Sequence, residues 1–394
     1  MQKTFKKIFA ALLTFSLLFT ASCGSAVKIE EEQALTTTVA EIEKYGNLVL
    51  SISGTEFMAE GYTYGDIITA EINDKSYDMP VGSSYSDVDD GDPICRIKID
   101  EAEEADHVIL AFNMGDLATD TGIATKTEIE EEPGFRWDYN EGVEEPVEIT
   151  ISMKSQGGYY EEYVMHQLER SNERADYPHL SDAEFANFRP ITTTGMGEGK
   201  LYRSSSPVNP KIGRNSYADA EVRAAGIKTI INLADTAEGM KAYEGWADTY
   251  YSTCNVIGLN LGIDPDSDDF RQGFAEGMRF LAAQKEGPYL VHCTEGKDRA
   301  GFTSALLECL MGASAEEVVA DYMTTYYNYY GVEAGTTQYD VIASSNIEKT
   351  LATAFEIEDI HAESIDLSVE ATEYMTDRLG LTADEVAAIK ANLS

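Results

Sequence analysis

The run Tyr289-Leu290-Val291-His292-Cys293-Thr294-Glu295-Gly296-Lys297-Asp298-Arg299-Ala300-Gly301 decides how the second half of this chain folds. An apolar stretch ends at a cysteine, five residues follow, an arginine closes the interval, and a helical pattern begins. That order predicts a strand, a tight loop and a helix N-terminus. Backbone N–H groups from Thr294 to Arg299 can then curl around a phosphate, because a helix start offers unpaired donors and partial positive charge. Arg299 adds a planar, two-pronged grip on phosphate oxygens. Cys293, at the bottom of the ring, is placed to attack phosphorus, and the helix start and the arginine both favour its thiolate. A cysteine at a strand end is by itself an ordinary buried hydrophobe. Here His292 precedes it and Gly296, Lys297-Asp298-Arg299 and Gly301 follow, which favours the catalytic reading.

Composition bounds the rest. The 394 residues suffice for two or three domains, and the net charge is -41. So acidic a chain excludes nucleic acid or an anionic membrane surface as a bulk electrostatic partner. A phosphorylated substrate also meets an unfavourable overall field, so the attraction must be local, from Lys297 and Arg299. Met1 to Ser22 reads as a signal peptide, with Lys3, Lys6 and Lys7 before an apolar core too short to span a bilayer comfortably. Thr20-Ala21-Ser22-Cys23 resembles a bacterial lipoprotein signal. Residues 23–44 are therefore expected to be a lipidated tether, with Cys23 as the sole membrane anchor of an extracytoplasmic protein. Thr20 stands where that signal usually has leucine, which leaves simple secretion open. Cys95 and Cys254 are open to pairing in an oxidising compartment. Cys293 has to stay reduced, and Cys309, among Leu306, Leu307 and Leu310, reads as core. Five scattered histidines suggest no metal site, and no cofactor is expected.

The chain reads as multidomain: a β-rich barrel or sandwich over 45–170, then an α/β domain over 171–394. In the first, short β-forming runs at Asn47 to Ser53, Ile67 to Ile72, Ile94 to Ile99 and His107 to Phe112 are punctuated by glycines. Val147 to Lys154 and Tyr159 to His166 are expected to form a hairpin around Gln156-Gly157-Gly158. Residues 126–146 read as a solvated acidic excursion, and 168–186 as a polar connection. In the second, Ile227 to Leu233, Asn255 to Leu261 and the strand into Cys293 alternate with helical stretches. That pattern gives a sheet flanked by helices, with the loop at a strand's C-terminal end. Ser314 with Glu317 makes a capping box, and Thr382 to Leu393 is a terminal helix.

Two resemblances add to this. Tyr45-Gly46-Asn47-Leu48-Val49, Tyr64-Gly65-Asp66-Ile67-Ile68, Ser84-Tyr85-Ser86-Asp87-Val88 and Ala111-Phe112-Asn113-Met114-Gly115-Asp116-Leu117-Ala118 resemble the C-terminal β-barrel of S-adenosylmethionine hydroxide adenosyltransferases. The catalytic domain of that family is absent, so only the fold carries over. His292-Cys293-x-x-Gly296-Lys297-Asp298-Arg299 resembles the atypical bacterial tyrosine and lipid phosphatases. So do Asn187-Phe188-Arg189, Leu201-Tyr202-Arg203-Ser204, Gly226 to Leu233 and Leu379-Gly380-Leu381-Thr382. This second resemblance implies metal-free hydrolysis of phosphate monoesters through a phosphocysteine, with tolerance of phosphoproteins and phosphoinositides. Cys293 would be the nucleophile, Arg299 the clamp, and His292 the residue that orients and tunes the thiolate. Thr294, Glu295, Gly296, Lys297 and Ala300 would complete the substrate-binding loop.

The general acid has two candidates: Asp298, matching the family's loop aspartate, and Asp264, on a separate upstream loop as in ordinary dual-specificity phosphatases. Ala300 stands where relatives usually carry a Ser or Thr that steadies the departing thiolate, which implies slower phosphocysteine breakdown. Three functions are therefore weighed. They are a phosphatase of phosphoproteins or phosphoinositides, an inositol polyphosphate (phytate-like) phosphatase, and a non-catalytic ligand-binding lipoprotein.

Overall fold

A computed structural model describes residues 34–100, 105–130, 133–262 and 267–394. Seven strands close the first domain into a barrel: β1 (Leu35–Ile42), β2 (Leu48–Leu50), β3 (Ile67–Ile72), β4 (Lys75–Gly82), β5 (Pro93–Asp100), β6 (Ala105–Phe112) and β9 (Glu148–Ser155), in the order β1-β2-β6-β5-β4-β3-β9. Short helices α1 (Gly54–Ala59) and α2 (Leu117–Thr121) fill its connections. Alternate residues turn inward, as a strand's two-residue period requires. Ile68, Ala70 and Ile72 of β3, Cys95 and Ile97 of β5, and Ile149 and Ile151 of β9 share one core.

Three expectations change here. The expected tether at 23–44 ends sooner, because β1 joins the barrel from Leu35, pairing with β9 and β2. Its threonines are β-branched and suit a half-buried strand. The hairpin at 147–166 has only its first arm. After β9 the chain turns at Gly157, whose N–H donates to Asp66 Oδ1 at 2.7 Å. It then forms helix α3 (Tyr160–His166), with Tyr160, Tyr163 and Val164 at helical spacing packed on the second domain's core. The acidic excursion holds a hairpin, β7 (Ala124–Glu128) with β8 (Phe135–Tyr139). Trp137 Nε1 of that hairpin donates to the Glu43 carbonyl at 3.0 Å.

The second domain carries helices α4 (Asp182–Phe185), α5 (Asn215–Ala224), α6 (Ala237–Lys241), α7 (Asp268–Ala283), α8 (Asp298–Met311), α9 (Ala315–Tyr330), α10 (Thr337–Ala343), α11 (Lys349–Phe355), α12 (Leu367–Glu373) and α13 (Ala383–Leu393). Its strands β10 (Arg189–Pro190), β11 (Leu201–Ser204), β12 (Thr229–Asn232), β13 (Asn255–Gly258) and β14 (Tyr289–His292) form a sheet in the order β10-β11-β14-β12-β13. All but β10 are parallel. The central strands β12 and β14 are buried along their whole length, as a sheet covered on both faces demands. Ile230 and Leu290 face the layer of α5, while Ile231 and Val291 face that of α7 and α8. Helix α8 is buried from Ala300 to Leu310, polar Thr303, Ser304 and Glu308 included, so it runs through the core with its N-terminus at the end of β14. The four described cysteines, Cys95, Cys254, Cys293 and Cys309, are free thiols.

Candidate active site

The loop from Cys293 to Arg299 leaves the central strand and enters α8, and neighbouring groups bind the outer side of its backbone. The Cys293 carbonyl lies 3.2 Å from His292 Nδ1. The Thr294 carbonyl accepts from Ser206 N at 3.0 Å, and the Glu295 carbonyl from the Tyr329 hydroxyl at 2.7 Å. Arg203 Nη2 donates to the Gly296 and Lys297 carbonyls at 2.8 and 3.3 Å. Successive carbonyls drawn outward turn the peptide N–H groups the other way, into the loop. Among the described residues, no protein acceptor takes the N–H of any residue from Thr294 to Arg299. This is the donor nest an anion needs. Gly296 makes the closure possible. It has φ +70°, and a Cβ there would sit 2.2 Å from the Ser204 carbonyl oxygen.

Arg203 does this from full burial. Its Nη1 pairs with Asp321 Oδ2 at 2.6 Å, and Arg189 Nε with Asp321 Oδ1 at 2.8 Å. Burial works to raise the Asp321 pKa, but the two arginines overcome it and the net shift is downward. Beside them, burial and the Asp321 charge push the Glu308 carboxyl well above the usual carboxylate range. Asn187 Nδ2 reaches the Gly296 carbonyl at 3.3 Å and Thr325 Oγ1 at 3.2 Å.

His292 is fully buried, and burial pushes its pKa down to about 4, so at neutral pH it is uncharged. Its partners fix the tautomer. Asn232 Nδ2 donates to the Tyr251 hydroxyl at 3.2 Å, and that hydroxyl lies 2.9 Å from His292 Nε2. With Tyr251 donating to Nε2, the Nδ1–H is left to donate to the Cys293 carbonyl. The imidazole thus orients Cys293 through its main chain.

Arg299 Nη1 donates to the main-chain carbonyls of Leu261 and Leu233 at 2.9 and 3.3 Å. Among the described residues it has no carboxylate partner. Asp298 and Arg299 line one pocket of about 190 Å³ with Phe270, Phe302, Tyr322 and Ile347. Asp298 keeps 55 % of its side-chain exposure, yet it lies in a concavity crowded by protein. That desolvation raises its pKa above the ordinary carboxylate value, with Lys297 opposing. Lys297 Nζ lies 3.9 Å from both Glu295 Oε2 and Asp298 Oδ1, and over the Tyr326 and Tyr330 rings. Burial works against its charge, but Asp298, Tyr326, Tyr330 and Glu295 more than offset that, and its pKa is raised.

Cys293, Thr294, Glu295, Gly296, Lys297, Asp298 and Arg299 therefore form one site. Ala300, expected to bind substrate, is fully buried in apolar core and has no polar group to offer. Asp264 and Cys23 lie outside the described residues. Sequence reasoning gives Arg189 and Arg203 no role, and it misses Asp321, Tyr251 and Arg170. Arg170 Nη2 pairs with Glu295 Oε1 at 2.7 Å. A charge on a segment that reads as a polar connection is the only signal for it.

Comparison with known proteins places both halves. The model of the family described as the tyrosine phosphatase family matches residues 184–394, and that of the SAM hydroxide adenosyltransferase C-terminal domain matches 37–130. A candidate tyrosine-protein phosphatase of Cupriavidus necator is 29% identical over 104 residues, which is 26% of this chain. The chain spans only 36% of the length of that curated relative. Among solved structures, TpbA of P. aeruginosa in complex with phosphotyrosine is 17% identical, covering 50% of this chain and 93% of that chain at a TM-score of 0.29. The core catalytic domain of the PP-IP phosphatase SIW14 of S. cerevisiae, in complex with citrate, is 15% identical. It covers 42% of this chain and 91% of that chain at a TM-score of 0.27.

Proposed function

Because the chain belongs to the tyrosine phosphatase family, we propose that it hydrolyses phosphate monoesters through a phosphocysteine on Cys293. The Cys293 thiolate attacks phosphorus, forming the S–P bond as the ester P–O bond breaks. Asp298 gives its proton to the departing oxygen. Water then attacks the phosphocysteine, Asp298 takes a proton from it, and the S–P bond breaks to release inorganic phosphate and restore the thiolate. Inward N–H groups and Arg299 stabilise the equatorial oxygens throughout. The observation that carries this reading is the outward binding of every loop carbonyl from Cys293 to Lys297. The raised pKa of Asp298 and its shared pocket with Arg299 support it as the acid.

The substrate class we infer is a single phosphate on a tyrosine-like or lipid headgroup. An inositol polyphosphate would need several uncommitted cations, whereas Lys297 and Arg170 both lie against Glu295. For the chain's location, we propose an extracytoplasmic protein tethered by a lipid on Cys23. Loss of radiolabelled palmitate incorporation in Cys23→Ser would support this, and equal labelling of both forms would refute it.

The enzymatic reading is tested with para-nitrophenyl phosphate and no added metal. Wild type is expected to turn over and Cys293→Ser to be inactive. Equal rates would overturn the reading and leave a ligand-binding protein.

A further inference from the structure

Glu295 is at odds with a phosphatase site, because it puts a carboxylate in the loop that must receive a phosphate dianion. The structure answers it with a residue outside both matched segments. Arg170 follows α3 on the connection between the domains, and its Nη2 lies 2.7 Å from Glu295 Oε1. Both side chains are about three-quarters buried, at 23% and 25% exposure, so water screens the pair less than a surface one. The Arg170 guanidinium also lies 5.3 Å from the Tyr329 ring centroid, and the Tyr329 hydroxyl holds the Glu295 carbonyl. The other end of this connection is fixed to the barrel. Gln167 Nε2 donates to Asp87 Oδ1 at 2.8 Å, and the Tyr159 hydroxyl to the Asp87 carbonyl at 3.1 Å. Tyr163 of α3 stacks on Tyr64 with centroids 5.5 Å apart.

We propose that Arg170 is a positioning residue of the phosphatase site. It holds the Glu295 carboxylate neutralised so that a phosphate dianion can enter, and the α3 segment straps it in place from the barrel. The accessory domain is then a working part of the site rather than a spacer. This rests on the phosphatase reading above.

The test uses the full chain and two readouts. Inorganic phosphate binding is measured by calorimetry in a Cys293→Ser background, and KM and kcat for para-nitrophenyl phosphate in the active chain. Arg170→Gln is expected to weaken phosphate binding about tenfold, since it unmasks one charge a few ångströms from the anion. It should raise KM with little change in kcat. Adding Glu295→Gln should restore most of the lost affinity, a rescue that a merely structural role would not give. Arg170→Lys, which keeps the charge, should lose less than Arg170→Gln. Unchanged affinity in Arg170→Gln, equal losses in the Lys and Gln variants, no rescue by Glu295→Gln, or no phosphate binding at all would each overturn the proposal. A chain that binds phosphate with this ranking but does not turn over would instead refute the phosphatase reading alone.

Discussion

On one side of the catalytic loop, Arg203 and Arg189 share Asp321 at 0%, 13% and 11% side-chain exposure; on the other, Arg170 and Lys297 share Glu295 at 23%, 16% and 25%. Each sets two cations around one shared carboxylate, and in the outer cluster Lys297 also lies 3.9 Å from Asp298. They differ in what they hold. The inner cluster is dry, and Arg203 reaches two main-chain carbonyls of the loop. The outer one is partly wet, and its cations act on the Glu295 side chain. The inner cluster therefore sets the loop's shape, and the outer one its charge. Together they give a protein of net charge -41 a local site that an anion can approach.

The contrast can be broken most directly at Arg203. Arg203→Ala leaves the buried Asp321 carboxylate with Arg189 as its one remaining ion-pair partner among the described residues, and removes the guanidinium from the Gly296 and Lys297 carbonyls. Urea titration should show a loss of about 3–5 kcal/mol. A loss below about 1 kcal/mol would mean the inner cluster is no more structural than the outer.

His292 gives the next largest effect, and it depends on pH. Its native pKa is about 4 against 6.5 for an ordinary histidine. Below pH 6.5 the unfolded chain therefore binds a proton that the native chain does not. Stability from this group is fully present above pH 6.5 and falls by on the order of 3 kcal/mol as pH drops towards 4. His292→Gln keeps both clusters and removes this term, so the stability gap between wild type and variant should narrow from pH 7 to pH 4. A constant gap would show that His292 titrates normally.

In the first turn of α8, Ala300→Ser adds a hydroxyl one residue after Arg299. Steady turnover should rise several-fold relative to the first burst of product, read by stopped-flow with para-nitrophenyl phosphate. Equal rates would remove any role for that position. The smallest effect belongs to an exposed pair far from the loop. Lys154 and Asp78 on the barrel are about half exposed, and Lys154→Ala should cost no more than about 1 kcal/mol in the same urea titration.

What the sequence shows of this molecule follows how local each feature is. The stretch from Tyr289 to Gly301 is contiguous, so its strand, loop and helix are legible in the order of residues alone. The braces are not. Arg203 and Asp321 meet the loop only through the fold, and nothing along the chain links Arg170 to Glu295. Helix α3 reads as a strand because Tyr159 to His166 is rich in β-forming residues, and its packing against Tyr64 and the second domain decides the matter. Strand β1 escapes notice because Thr36, Thr37 and Thr38 carry hydroxyls and look like linker, although a threonine run suits a barrel wall.

Helix α8 carries one further consequence. Because it is sheathed in side chains from Ala300 to Leu310, its aligned peptide dipoles lie in a medium of low dielectric constant rather than beside water. Dissolved ions cannot crowd along its flanks to damp the field that emerges at Asp298. The electrostatic pull on an anion in the loop should therefore be largely independent of ionic strength, even while added salt weakens the repulsion from the acidic surface. For this chain, salt should speed the approach of a phosphorylated substrate without loosening the grip on it.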